Sequence, residues 1–458
     1  MRAIKDSFKN CKTEEKIFLG IALFISVLYA YTVSQIDCNT ITLWGHDLLS
    51  SLFRGELTEF PAYTFETHGT ATNYSLLVNV ITAISLLPIF VVEKIMGFTF
   101  NYVVINMWYK TFILVVHIID IYLFYRILDR LDFTHTKKVK GVIYYMLSSV
   151  ICITILGKGQ VDIYIVTFVM LGILCFMNEK YIYMSILMGL ALVIKPFAIL
   201  IVAPLYLLMI HKLRGKVIVN SIITIIPFVI DETITKLLMP SYSEYKEITS
   251  QLFKESYRLS RVEQLFNLKI NNVLVFFAAI LIISFIAFYI GKARDAKLRD
   301  YLVFPSLMYI SYGIFVSSSS YWFIAIIPAL VIMGLKLSDI REFELLYFGS
   351  NIGVVVYIYF LEKHLRPGTN YTFFDLLGLS NSVSPIYERF SDYRYPIYET
   401  GATLFLICML IICILFYMEN VKKKPRVSKD NKTFTKFCFI LQYVPVVTYL
   451  VISYITIR

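Results

Sequence analysis

Apolar runs of about twenty residues recur from the start of the chain to its end. A run of that length can satisfy its backbone amides in hydrocarbon only by becoming a helix. Hydropathy marks about thirteen crossings: residues 17–34, 102–128, 142–156, 163–177, 182–194, 197–210, 217–230, 273–290, 301–316, 321–335, 345–361, 402–418 and 437–455. The chain is 58% hydrophobic and only 16% charged, with a mean hydropathy of +0.69. The expectation is an all-α polytopic membrane protein with no large soluble domain.

The net charge of +11 does not imply nucleic acid in such a protein. Excess Lys and Arg collect on cytoplasmic loops and set orientation. Lys5, Lys9, Lys12 and Lys16 hold the N-terminus in the cytoplasm, and residues 17–34 read as a retained first helix. A further stretch, 76–92, is also long enough to cross. If 76–92 and 102–128 both cross, the basic groups Arg126, Arg130, Lys137, Lys138 and Lys140 fall outside, and every later basic loop inverts with them. Charge therefore makes 76–92 a re-entrant or in-plane element; Pro88, Glu93 and Lys94 make it the weaker spanner.

Cys11, Cys38, Cys152, Cys175, Cys408, Cys413 and Cys438 show neither paired spacing nor a Cys–His ligand pattern, so no disulfide framework or zinc site is expected. Phosphate-cradling, dinucleotide-binding, nucleophile-elbow and HExxH motifs are absent from the sequence, which argues against a nucleotide-driven pump.

The polar exception is the first loop, residues 35–74. It holds Asp37, Asp47, Glu56, Glu59 and Glu66 beside His46 and His68. Within it, residues 43–53 place Leu43, Leu48, Leu49, Leu52 and Phe53 near one face, as an interfacial amphipathic helix would. A solvated connector and a functional loop both fit these residues.

Later places compete with blander readings in the same way. The turn at 157–162 carries Lys158, Gln160 and Asp162 beside glycines that permit close backbone approach; a plain hairpin fits it too. Lys195, followed by Pro196, interrupts an apolar stretch. It suits a phosphate near the interface, or simple snorkelling. Hydroxyls at 317–320 precede Tyr321, Trp322 and Phe323, a pattern that suits carbohydrate or an ordinary aromatic belt. Lys110 and Asp120, inside 102–128, read first as packing groups. The larger loops 231–272 and 362–399 would cap the outer face.

Taken in order, these pieces resemble the GT-C superfamily of integral-membrane glycosyltransferases, most of all the branch of the GPI mannosyltransferase I catalytic subunit and its bacterial relatives. The resemblance runs through an acidic first loop ending in Asn73, Tyr74 and Ser75, and the helix with Lys110, Asp120, Tyr125 and Arg126. It continues through Gly159, Gln160, Val161 and Asp162, then Ile194, Lys195, Pro196 and Phe197, then Ser319 to Phe323 with Pro328 beyond. The closely spaced aspartates usual in that first loop are here Asp37 and, ten positions on, Asp47.

The resemblance implies inverting transfer from a polyprenyl-phosphate sugar to a glycan or lipid-linked acceptor on the outer face of the membrane. Asp37 is the first choice of base and Asp47 the second. Lys195, with Lys158 as alternative, would face the donor phosphate, and Gln160 and Asp162 would contact donor or acceptor. His46, Glu66, His68, Tyr74, Tyr321 and Trp322 are expected acceptor or loop contacts. Some relatives use a divalent metal, Mg or Mn, near the phosphate; no ligand set here compels one. Residues 1–335 would form the catalytic module and 336–458 the C-terminal helices. The Lys/Ile/Tyr-rich composition is compatible with a bacterial plasma membrane. The rival readings are a transporter or flippase of lipid-linked oligosaccharide, and a polymerase or ligase of surface polysaccharide.

Overall fold

The computed structural model describes residues 11–33, 36–69, 72, 74–242, 244–245, 247, 272–316, 320–361, 394–422 and 432–457. The hydroxyls at 317–319, Asn73, most of loop 362–399 and the larger part of loop 231–272 lie outside them. The described chain is helical, with no strand among the described residues.

We number the helices α1 (Thr13–Thr32), α2 (Ile36–Arg54), α3 (Phe60–His68), α4 (Leu76–Met96), α5 (Tyr102–Arg130) and α6 (His135–Met146). A π-helical segment, Val150–Gly157, follows. Then come α7 (Ile163–Met177), α8 (Tyr181–Ile194), α9 (Ile199–Leu208), α10 (Ile210–Leu213), α11 (Lys216–Leu238), α12 (Asn272–Ala293), α13 (Leu298–Phe315), α14 (Ile327–Lys336), α15 (Ile340–Leu361), α16 (Arg394–Lys422), α17 (Lys432–Leu441) and α18 (Tyr443–Ile457).

Among the described residues eight helices are long and apolar enough to cross a membrane, or nine if α6 and the π-helical segment, bent by 51°, form one span. The expected count of about thirteen therefore does not translate into thirteen full-length helices. Stretches 163–177, 182–194, 197–210 and 321–335 form helices of only 10–17 residues. A 14-residue helix such as α8 rises about 21 Å, short of the roughly 30 Å hydrocarbon core. Hydropathy windows do not register where Lys195 and Pro196 break the backbone. Helices α11 and α12 bury little of themselves in the protein and present Ile, Leu and Phe outward, as lipid-facing helices do.

Stretch 76–92 becomes one unbroken helix that carries Pro88 inside it, so it is not a re-entrant hairpin. Ser75 caps its start by accepting from the Val78 N–H. Gly97, at φ 70°, closes its end. Although α4 is long enough to cross, both its ends lie on one face of the bundle. At the start, the Leu77 N–H donates to Asp231 at 2.8 Å. Asp231 stands near the end of α11, which runs parallel to α8: Ser185 meets Asn220 and Gly189 meets Thr224, so Asp231 is level with Lys195. At the other end α4 leads into the start of α5, where Lys110 reaches the carbonyl of Val33 at the end of α1. By length and composition alone α4 remains one of the eight candidate spans. The basic residues Arg126, Arg130, Lys137, Lys138 and Lys140 sit at the far end of α5 or just beyond it.

Candidate active site

Three chain reversals meet on the face that carries Val33. The first joins α1 to α2 and puts Asp37 in the first turn of α2. The second is the turn after the π-helical segment, with Lys158, Gln160 and Asp162. The third is the break between α8 and Pro196, with Lys195 as the extended cap residue. One buried ammonium fixes the first two against each other. Lys110 of α5 donates to the carbonyl of Val33 and, at 2.5 Å, to that of Gly157. Both are carbonyls at helix ends that lack a partner in their own helix, which is where a cation is most favourable. The packing role expected of Lys110 is thus specific: it aligns the strand of chain that leads to Asp37 with the one that leads to Gln160.

The outcome is a hydrogen bond from Gln160 Nε2 to Asp37 Oδ2 at 2.9 Å. Gly159 makes the approach possible. It sits at φ 64°, and a Cβ there would lie 2.8 Å from Cys38 Sγ, the neighbour of Asp37. Gly159→Ala is therefore expected to push α2 away, lowering turnover while costing on the order of 1 kcal/mol or more of stability; kcat and the thermal midpoint in detergent, measured together, check this. Lys110→Met is expected to lower kcat and leave the two helix-end carbonyls unpaired, with Lys110→Arg restoring part of the activity. Equal stability losses with unchanged kcat would contradict the alignment role.

Asp162 is fully buried, and neither of its carboxylate oxygens is hydrogen-bonded to another described residue. Burial raises its pKa to about 6, against the lowering pull of the Lys195 ammonium and its own backbone N–H, with nearby Asp37 adding to the rise. The Oε1 of Gln160 is likewise buried without a partner among the described residues. So is the hydroxyl of Tyr309, a residue of α13 that lies within electrostatic reach of Asp162. Buried polar atoms left over in one place are where a ligand's hydroxyls or water belong.

Cations and aromatic rings flank this pocket. The Lys195 ammonium lies 4.5 Å from the ring centre of Tyr74 and 6.0 Å from that of Tyr321. Lys158, fully buried, lies 5.8 Å from the Tyr321 ring. Trp322 stacks at a tilt on Phe197, 4.9 Å between centres. Beside Tyr74 and Lys195 opens an apolar cavity of about 700 Å³ between α2, α4, α8 and α11, lined by Leu48, Leu76, Leu77, Val193, Ile230 and Leu238, among others.

The structure thus brings together Asp37, Lys158, Gln160, Asp162, Lys195, Tyr74, Tyr321 and Trp322. The other expected residues fall elsewhere. Asp47 is ten residues along α2 from Asp37, about 15 Å by helical rise. It accepts from His68 Nε2 at 2.9 Å, while its neighbour His46 pairs with Glu93 of α4 at 2.7 Å. These two pairs join α2 to α3 and α4. Burial raises the Asp47 pKa, with His68 and His46 opposing. Glu66 is exposed on α3. Sequence reasoning missed Tyr309, which sits inside an apolar run with nothing to mark it. It also missed Lys110 as the link between two helix ends, a role that depends on long-range proximity.

Comparison with known proteins bears on the same part of the chain. No curated protein matches it. The family model described as Glycosyltransferase family 87 matches residues 99–334 of the 458, a segment that contains Lys110, Gln160, Asp162, Lys195, Tyr309 and Trp322. The match begins after Asp37 and Asp47, so it does not bear on the first-loop carboxylates. The GT-C-like class expected from the sequence is met, and the chain belongs to glycosyltransferase family 87, a membrane-type glycosyltransferase family.

Proposed function

We propose that this membrane glycosyltransferase moves a sugar from a polyprenyl-phosphate donor to a hydroxyl of a glycan or lipid-linked acceptor, with inversion, on the outer face of a bacterial plasma membrane. The observation that carries this reading is the juxtaposition of Asp37–Gln160, Asp162 within electrostatic reach of Lys195, and an apolar cavity of about 700 Å³. A carboxylate, a cation and a lipid-sized groove side by side are what a lipid-phosphate sugar requires.

In this mechanism Asp37, oriented by Gln160, takes the proton of the acceptor hydroxyl as its oxygen attacks the anomeric carbon. The bond from that carbon to the phosphate oxygen breaks, and its electron pair leaves on the polyprenyl phosphate. Lys195, assisted by Lys158, stabilises the charge that develops there. Asp162, Gln160 Oε1 and Tyr309 offer hydrogen bonds to sugar hydroxyls, and Tyr74, Tyr321 and Trp322 supply apolar ring faces. The prenyl chain occupies the groove that starts beside Tyr74. The positive residues at the far end of α5 support placing the site outside.

A magnesium-class ion, as used by some relatives, needs only one or two carboxylates plus a substrate phosphate. Asp37 and Asp162 are the residues that would hold it. Among the described residues no third His, Cys, Asp or Glu joins them in a metal-sized cluster. The two lysines already supply cations here, and no step is routed through a metal. The transporter and flippase reading loses ground because a glycosyltransferase family covers the centre of the chain.

Burial of Asp162 gives the site a pH dependence in this mechanism. Above about pH 6 it is ionised and competes with the donor phosphate for Lys195; below that it is neutral and the competition is gone. The donor KM is therefore expected to fall as pH drops through about 6, and to lose that dependence in Asp162→Asn. The reading as a whole is tested by the product's configuration: a β-linked donor sugar should appear α-linked by nuclear magnetic resonance. A retained configuration sinks the single-displacement mechanism.

A further inference from the structure

On the face opposite this site, three ligand-type side chains meet. Cys11 precedes α1, Glu15 stands in its first turn, and His135 opens α6. Cys11 Sγ lies 3.4 Å from His135 Nε2, and one ligand atom from each of the three falls within 4.8 Å of the others. Among the described residues this is the one group of three or more His, Cys, Asp or Glu side chains so disposed. The expectation of no metal-ligand pattern followed from spacing in sequence, which cannot see two residues 124 positions apart come together.

We propose that Cys11, Glu15 and His135 bind a divalent ion of the zinc class and that the ion ties the start of α1 to the start of α6. A thiolate, an imidazole and a carboxylate are the ligands that a borderline-soft ion takes, whereas magnesium and calcium take oxygen. The spacing fits as well. Tetrahedral zinc with a Zn–S bond of about 2.3 Å and a Zn–N bond of about 2.0 Å sets sulfur and nitrogen about 3.5 Å apart. Cys11 is 8% exposed, while Glu15 and His135 are half-buried, so an ion can enter from water and keep a fourth position for it. Glu15 also accepts, at 2.9 Å, from the Lys12 N–H at the start of α1, which holds its carboxylate beside Cys11. Lys12 and Lys16 lie close by in sequence and oppose a free cation, so it is the thiolate and carboxylate together that offset their charge.

The site lies a full helix length from Asp37, so its test is independent of the transfer reaction. The full chain, purified in detergent and stripped with a chelator, is titrated with Co²⁺ and then with Zn²⁺. One equivalent of cobalt with a thiolate-to-cobalt charge-transfer band, displaced by zinc, is the expected result. The band should vanish in Cys11→Ser. Affinity should fall in His135→Ala by more than the roughly tenfold that loss of an outer hydrogen-bonding partner costs. A folded, monodisperse wild type that shows no such band would overturn the proposal and leave Cys11 and His135 as a hydrogen-bonded pair. A band that persists in Cys11→Ser would overturn it too. If Cys11→Ser does not fold, unchanged affinity in His135→Ala is the contradicting result.

Discussion

Asp37→Asn is expected to lower kcat by roughly 10²–10⁴-fold, the usual worth of a positioned general base. Donor affinity should barely change, because the amide keeps the shape of the carboxylate and a hydrogen bond with Gln160 remains possible. The comparison that gives this result meaning is Asp47→Asn. Asp47 is bonded to His68 between two helices, so its loss should cost about 1–3 kcal/mol of stability and leave kcat near wild type. The sequence alone offered both aspartates as the base. The two variants separate them, provided kcat is measured per folded molecule. A large kcat loss in Asp47→Asn with Asp37→Asn active would reverse the assignment.

Replacing Lys195 is the second large effect. Lys195→Met should lower kcat by roughly 10²–10³-fold, the range seen when one preorganised stabiliser of developing charge is removed. Asp162 complicates the reading in a useful way. Lys195 is the neighbour that pulls its pKa down, and it is also the cation for which Asp162 and the donor phosphate compete, so Lys195→Met should flatten the dependence of the donor KM on pH near 6. A lysine that merely snorkels would change neither kcat nor that profile when replaced. Lys195→Arg keeps the charge and should recover part of the rate. Lys158→Met is the control for sharing of the phosphate between the two cations.

Much of the site was legible because its residues are wrong for their surroundings. Lys158, Gln160, Asp162 and Lys195 interrupt apolar runs where ionisable groups are costly, and such places are few. The in-plane reading of 76–92 rests on the parity that the basic loops on either side impose, whereas the structure gives a single helix long and apolar enough to cross. What stayed hidden depends on distance in three dimensions. Nothing near Lys110 in sequence says that it will bind carbonyls of Val33 and Gly157. Tyr309 looks like one more aromatic in a span. His46, Asp47 and His68 looked chemical because they are titratable and close together; the structure pairs them with each other and with Glu93, between α2, α3 and α4. Among the described residues eight or nine full-length candidate spans stand against the thirteen apolar stretches, because a hydropathy window cannot distinguish a full crossing from a short helix that stops at Lys195.

The most direct test is release of free polyprenyl phosphate by the purified protein reconstituted in lipid. The substrates are a panel of polyprenyl-phosphate sugars with acceptor, set against nucleotide sugars. Release from at least one lipid-phosphate donor, none from nucleotide sugars, and loss of that release in Asp37→Asn is the expected result. Transfer from a nucleotide sugar, or release that is undiminished in Asp37→Asn, would contradict the account.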